Sequence, residues 1–155
     1  MKTNQILITQ TEFNKLKNEV KKAQLESKEI IYTSNDDELN RKVIEKLPVQ
    51  VLLINLAGRK DFQKQRNSGF NQVMAKVMKK KKIILGINFD EIVECKNLKE
   101  KSEVLARIKQ NLFLCKKNKV RMMFVFLKEK NERNIYDLRA LGLVLGMGTW
   151  MTKEL

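Results

Sequence analysis

"VQVLLINLAGRKDFQKQRNSGFNQVMAKVMKKKKIILGINF", residues 49–89, holds one complete repeat of the fold. It opens on "VQVLLINLA" (49–57), a nearly unbroken apolar run of the kind a parallel strand covered on both faces requires. Phe70, Val73, Met74, Val77 and Met78 then recur at i, i+3, i+4, i+7 and i+8, a single apolar helical stripe. The methionines in that stripe read as core filler. "KIILGINF" (82–89) is a second strand. Strand, helix and strand in this order make a parallel pair joined by a right-handed crossover.

The same rhythm continues in both directions. Upstream, "QILIT" (5–9) reads as strand, "TEFNKLKNEVKKAQLE" as a helix capped by Thr11, and "EIIYT" (29–33) as strand. "SNDDELNRKVIEKL" opens with Ser34 or Asn35 as cap and acids in its first turn, and Pro48 ends it. Downstream, "EKSEVLARIKQNLFLCKKN" is a helix burying Val104, Leu105, Ile108, Leu112 and Cys115, followed by the strand "VRMMFVFL" (120–127). "NIYDLRALG" reads as a short helix stopped by Gly142, and "LVLGM" (143–147) as a sixth strand. One α/β domain over residues 1–155 is expected, either an open doubly wound sheet or part of a β/α barrel. No Gly-rich phosphate fingerprint follows the first strand, so a nucleotide-binding fold is not supported.

Charge is the second strong signal. The chain carries a formal +14, and residues 58–82 alone hold nine Lys and Arg against one Asp. Such focusing works against compactness by self-repulsion and points to a polyanionic partner, nucleic acid ahead of membrane. Arg59, Lys60, Lys64 and Arg66 surround the polar group Gln63, Gln65, Asn67 and Ser68 in the strand-to-helix loop. That loop leaves the carboxyl edge of the sheet, where α/β folds place their sites. The helix is expected to open near Asn67 or Ser68, adding free N–H groups to an anion site. Arg59 and Arg66 suit a bidentate grip on phosphate, whereas Lys60 and Lys64 act as point charges. At the helix's other end, at least two of Lys79 to Lys82 read as solvated caps. Phe62 and Phe70 are the only rings nearby, which favours backbone and shape recognition of structured RNA over base stacking.

The chain has no histidine, which removes the imidazole-based nucleophile templates and His-ligated metals. No catalytic or metal-ligating residue is assigned. Cys95 and Cys115, the only cysteines, fit no common zinc spacing and read as reduced, half-buried thiols. No stretch approaches the length of a spanning helix and the N-terminal apolar run is too short for a signal peptide, so a soluble cytoplasmic protein is expected, nuclear or nucleolar in a eukaryote.

Three segments taken together are similar to a known family. "KDFQKQRNSGFNQVMAKVMKKKKIILGINFDEIV", "LARIKQNLFLCKKNKVRMMFVF" and "DLRALGLVLGM" resemble the large β/α-barrel protein subunit of archaeal ribonuclease P, counterpart of a subunit shared by eukaryotic ribonucleases P and MRP. The resemblance covers about residues 50–147, with "QRNSGFNQVMAK" into "IILGINF" its most specific part. It implies a TIM-like β/α barrel, here shortened or incomplete, with about six parallel strands. It implies a non-catalytic subunit that binds and stabilises the catalytic RNA for removal of the 5′ leader from precursor tRNA. A smaller α/β protein subunit and other ribonuclease P proteins would be partners, and Mg2+ would sit at the RNA active site. The implied RNA-binding residues are Arg66, Asn67, Ser68, Asn71 and Gln72 in the matching motif. Arg59, Lys60, Lys64, Gln65, Lys76, Lys79, Lys80, Lys81 and Lys82 support them. Lys64, Asn67 and Gln72 stand where the family often has His, Asp and His. Exposed edges of an incomplete barrel are expected to need cover from another chain or RNA.

Two further readings stay open. One is a small α/β enzyme binding a phosphorylated metabolite in the same loop, with Asp61, Asp90 and Glu91 as candidate acids, although ion pairing explains them more simply. The other is a nonspecific basic RNA-binding protein.

Overall fold

A computed structural model describes residues 4–155. Five parallel strands alternate with helices: β1 (Gln5–Ile8), α1 (Phe13–Leu25), β2 (Glu29–Ser34), α2 (Asp37–Lys46), β3 (Val51–Ile54), α3 (Gln72–Lys81), β4 (Ile84–Asn88), α4 (Phe89–Val93), α5 (Leu98–Asn118) and β5 (Met122–Val125). A 3-10 turn (Glu129–Asn131), α6 (Ile135–Leu145) and α7 (Thr149–Thr152) follow. The strands lie in chain order, β1-β2-β3-β4-β5, all parallel.

That order settles the choice between the two architectures. Right-handed crossovers taken always in one direction place every helix on one face of the sheet, whereas a doubly wound sheet reverses direction partway. The side chains agree. Ile30, Tyr32, Leu52, Ile54, Leu85, Ile87, Met122 and Phe124 pack with Leu16 and Val20 of α1, Val43 and Ile44 of α2, Met74 and Met78 of α3, and Ile108 and Leu112 of α5. Their alternates, Ile31, Val51, Leu53 and Val125, form a separate cluster with Leu7, Ile84 and Met123 that contains no helix residue. Ile31, Val51 and Leu53 are nonetheless fully buried, because the sheet curls and its concave face packs on itself. Gly86 permits the curl: a Cβ there would lie 3.0 Å from Leu53, 3.1 Å from Val125 and 3.2 Å from Val51. The chain is a shortened TIM-like β/α barrel, open between β1 and β5.

Some expected boundaries move. Among the described residues there are five strands, not six: residues 143–147 belong to the end of α6 and its cap. Gly142 does not stop that helix; it is buried inside it, and Gly146 at φ 102 takes the left-handed C-cap. Asp36 rather than Ser34 or Asn35 caps α2, accepting from the N–H groups of Glu38 and Leu39. At α1 the cap position is Glu12, and the Gln10 side chain accepts from the N–H groups of Thr11 and Glu12. Cys115 is wholly buried, its thiol pushed up to about 12 by burial, and Cys95 is half-buried; both are free.

Candidate nucleic-acid interface

Residues 55–71 connect β3 to α3, and buried polar contacts tie them down from below. Arg107 is the main anchor. It stands on the buried stripe of α5 and is 1% exposed, yet its guanidinium reaches three points of the loop. It donates to the carbonyl of Leu56 at 3.2 Å, to the carbonyl of Arg59 at 2.8 Å and to Asp61 Oδ1 at 3.0 Å. Asp61 Oδ1 also accepts from the N–H of Asn67 at 2.8 Å. That backbone bond, with Arg107 beside it, holds the Asp61 carboxyl below the ordinary carboxylate range.

Arg59 is the second anchor. Its two terminal nitrogens donate to the two oxygens of Asp37, both at 2.8 Å, and the Arg59 side chain is 11% exposed. Gly69, at φ 68, lies flat against this guanidinium: a Cβ there would sit 2.5 Å from its nitrogens. Asn67 Oδ1 accepts from the Gly69 N–H at 3.2 Å and completes the turn. A third tie comes from Glu91, which accepts from the Leu56 N–H at 2.8 Å; burial raises its carboxyl above the usual range.

Above these anchors the loop folds into a tight turn, with Phe62 and Gln65 exchanging backbone hydrogen bonds at 2.9 and 3.3 Å. Lys60, Phe62, Gln63, Lys64, Gln65 and Arg66 project from it into solvent. The Arg66 carbonyl accepts from Gln110 at 3.3 Å, while among the described residues the Arg66 guanidinium has only a distant contact, 4.0 Å, with Asp61. Lys60 and Lys64 have no carboxylate partner among the described residues. The result is a rigid base carrying a solvated tip of two lysines, one arginine, two amides and one exposed ring.

The expected site residues therefore divide. Lys60, Lys64, Gln65 and Arg66 come together on the tip. Arg59 is held by Asp37 and does not present its fork to a ligand. Asn67 organises the turn, and Ser68 is buried with its hydroxyl directed at the Phe70 carbonyl. The helix does not open near Asn67 or Ser68: Asn71 is its N-cap, accepting from the N–H groups of Val73 and Met74 at 3.0 Å each. The free N–H groups expected beside the cations are thus several residues away and already capped. Gln72 pairs with Asn118 at 2.8 Å. Lys76 is exposed on α3, and Lys79 to Lys82 lie at the opposite, amino edge of the sheet, just before β4.

Of the candidate acids, Asp61 serves Arg107 and the loop backbone. Asp90 is 5% exposed and accepts from the N–H groups of Leu127 and Lys128 and from Asn131. Glu91 supports Leu56. Each is engaged in holding a loop. Arg107 escaped the reading from sequence, although it and Asn111 interrupt the apolar stripe Val104, Ile108, Leu112 and Cys115 at helical spacing. A cation on a buried face needs a partner.

With this geometry in place, the fold can be compared with that of a solved structure, the cryo-EM structure of archaeal Ribonuclease P with mature tRNA. One chain of it superimposes with a TM-score of 0.79 at 25% sequence identity, over 95% of the present chain. The present chain spans 62% of that chain's length. No protein-family model matches, and no curated protein does. Among the described residues no helix is long and apolar enough to cross a membrane.

Proposed function

We propose that this chain is a non-catalytic protein subunit of ribonuclease P, corresponding to its large β/α-barrel subunit. It binds and stabilises the catalytic RNA for removal of the 5′ leader from precursor tRNA. The observation that carries this reading is the structural match to a chain of an archaeal ribonuclease P structure, over 95% of the present chain and 62% of that one, at a TM-score of 0.79. The local chemistry supports it. The tip of the 55–71 loop offers point charges and amides in a fixed frame, suited to phosphate and 2′-hydroxyl contacts rather than to base reading. Lys60, Lys64, Gln65 and Arg66 make those contacts, with Lys76 alongside. Arg59, Asn67, Ser68, Asn71 and Gln72 act through the shape of the loop.

Partners under this reading are the ribonuclease P RNA, a smaller α/β subunit, other proteins of the particle and, as its substrate, precursor tRNA. Magnesium would belong to the RNA active site; among the described residues no three Asp, Glu, Cys or His side chains converge to hold a metal.

The test is binding of labelled ribonuclease P RNA in the presence of excess bulk RNA. The native chain is expected to keep its affinity. A Lys60→Gln, Lys64→Gln, Arg66→Gln variant is expected to lose it about tenfold or more, with a salt slope shallower by about three. Equal competition by bulk RNA would reduce the protein to a nonspecific RNA binder.

A further inference from the structure

The amino edge of the barrel carries a second concentration of cations, drawn from three separate helix ends. Lys46 closes α2, Lys79 to Lys82 close α3, and Lys116, Lys117 and Lys119 close α5. Helix α3 packs between α2 and α5, so these ends are neighbours. The strand register tightens the grouping. Leu85 pairs with Met122, and the same offset carried back three residues sets Lys82 beside Lys119 at the entrances to β4 and β5. Lys46 and Lys82, with Pro48, Gln50 and Ile83, line an open groove of about 520 Å³.

Helix dipoles explain part of this, since a cation in the last turn is stabilising. They do not explain the remainder. Lys81 donates to the carbonyl of Glu45, and Lys116 to that of Gly146, so each serves the fold. Lys46, Lys79, Lys80, Lys82, Lys117 and Lys119 have neither such a contact nor a carboxylate partner among the described residues. An independent observation concerns the backbone. Three non-glycine residues in the described chain have positive φ, and two are Lys82 (φ 60) and Lys119 (φ 53). Both hold the left-handed helix-end position that favours glycine. Two adjacent units thus place lysine where conformational preference asks for glycine, at equivalent positions three residues before the first residues paired between β4 and β5.

We propose that this amino-edge rim is a second RNA-backbone site, separate from the 55–71 loop, so that the protein bridges two RNA segments. The inference rests on the RNA-binding reading above. The two surfaces lie at opposite ends of strands four or five residues long, roughly 15 Å of sheet apart before side chains are added. Lysines without arginine forks suit contact with a run of phosphates, as point charges and without sequence choice.

The test uses the full chain and a short labelled RNA duplex, read by binding stoichiometry and salt dependence. The native chain is expected to take two duplexes. A Lys82→Gly, Lys119→Gly variant is expected to melt at a higher temperature, because glycine relieves both left-handed positions. It should nonetheless lose the second duplex, with the salt slope reduced by about two. The loop variant Lys60→Gln, Lys64→Gln, Arg66→Gln is expected to retain one duplex through the rim. A glycine variant that is more stable and binds RNA unchanged overturns the rim while leaving the loop reading intact. No duplex binding by the native chain overturns both. Displacement of the rim-bound duplex by poly-glutamate at equal charge concentration would assign the rim to an acidic protein and overturn the RNA assignment.

Discussion

Arg107 shows how one side chain can set a loop's shape. Its buried guanidinium donates to two carbonyls and one carboxylate of the 55–71 segment. Replacing it by Met keeps the volume and removes these bonds, and the expected cost is about 2 kcal/mol in urea unfolding. Amide exchange across residues 55–71 should quicken more than in β3 or β4. Gly69→Ala tests the second anchor: the left-handed φ and the 2.5 Å approach to Arg59 both resist a methyl, so a loss of about 1–3 kcal/mol is expected. The carboxylates give a pH signature. Glu94, bonded to Lys128 and also to Asn131 and Lys130, has its carboxyl lowered to about 2. A carboxylate depressed in the fold contributes stability above its unfolded value that is lost as pH falls toward the folded one. Stability should therefore decline between about pH 4.5 and 2, and Glu94→Gln should flatten that slope in acid titration of the unfolding midpoint. At this scale the sequence was only partly legible. The cations of the loop were visible, but their division into anchors and tip was not, because Arg59 finds Asp37 only after α2 is laid beside the loop.

The strands and most helices were legible because their periodicity is local. The stripe Phe70, Met74 and Met78 is buried as expected, while Val73 on its margin is 49% exposed. The end of α6 was misread for a physical reason: "LVLGM" is apolar and β-branched in part, and short apolar runs do not separate strand from helix. Tertiary packing decides. Gly142 lets the helix approach Met147 and Thr152, where a Cβ would lie 3.0 and 3.1 Å from their side chains, and Gly146 supplies the cap. Gly146→Ala is expected to cost about 1 kcal/mol by chemical denaturation, from backbone conformation alone, since its Cβ would meet Leu112 at an ordinary 3.6 Å. The start of α3 was placed too early because Asn67, Ser68 and Asn71 are all good caps. The choice falls on Asn71 because Asn67 is drawn into the turn held by Asp61 and Gly69.

In the whole molecule, strand order converts a list of βα units into a barrel segment with the 55–71 loop at one end and a lysine rim at the other. Sequential parallel pairing puts the helices outside and leaves a self-packed concave face, and no local pattern specifies this, since an open sheet uses the same units. The family resemblance in the polar loop and the following helix supplied the barrel, and the strand order bears it out with one strand fewer. The open side between β1 and β5 is lined by Ile31, Met123, Val125, Phe126, Ile135 and Leu138 around a cavity of about 360 Å³. The most direct measurement is cleavage of precursor tRNA at limiting magnesium by the ribonuclease P RNA and its smaller protein partner, with and without this chain. The native chain is expected to stimulate cleavage, and the Lys60→Gln, Lys64→Gln, Arg66→Gln variant, folded to the same extent, to do so at least tenfold less. Equal cleavage with and without the native chain would contradict the proposed function.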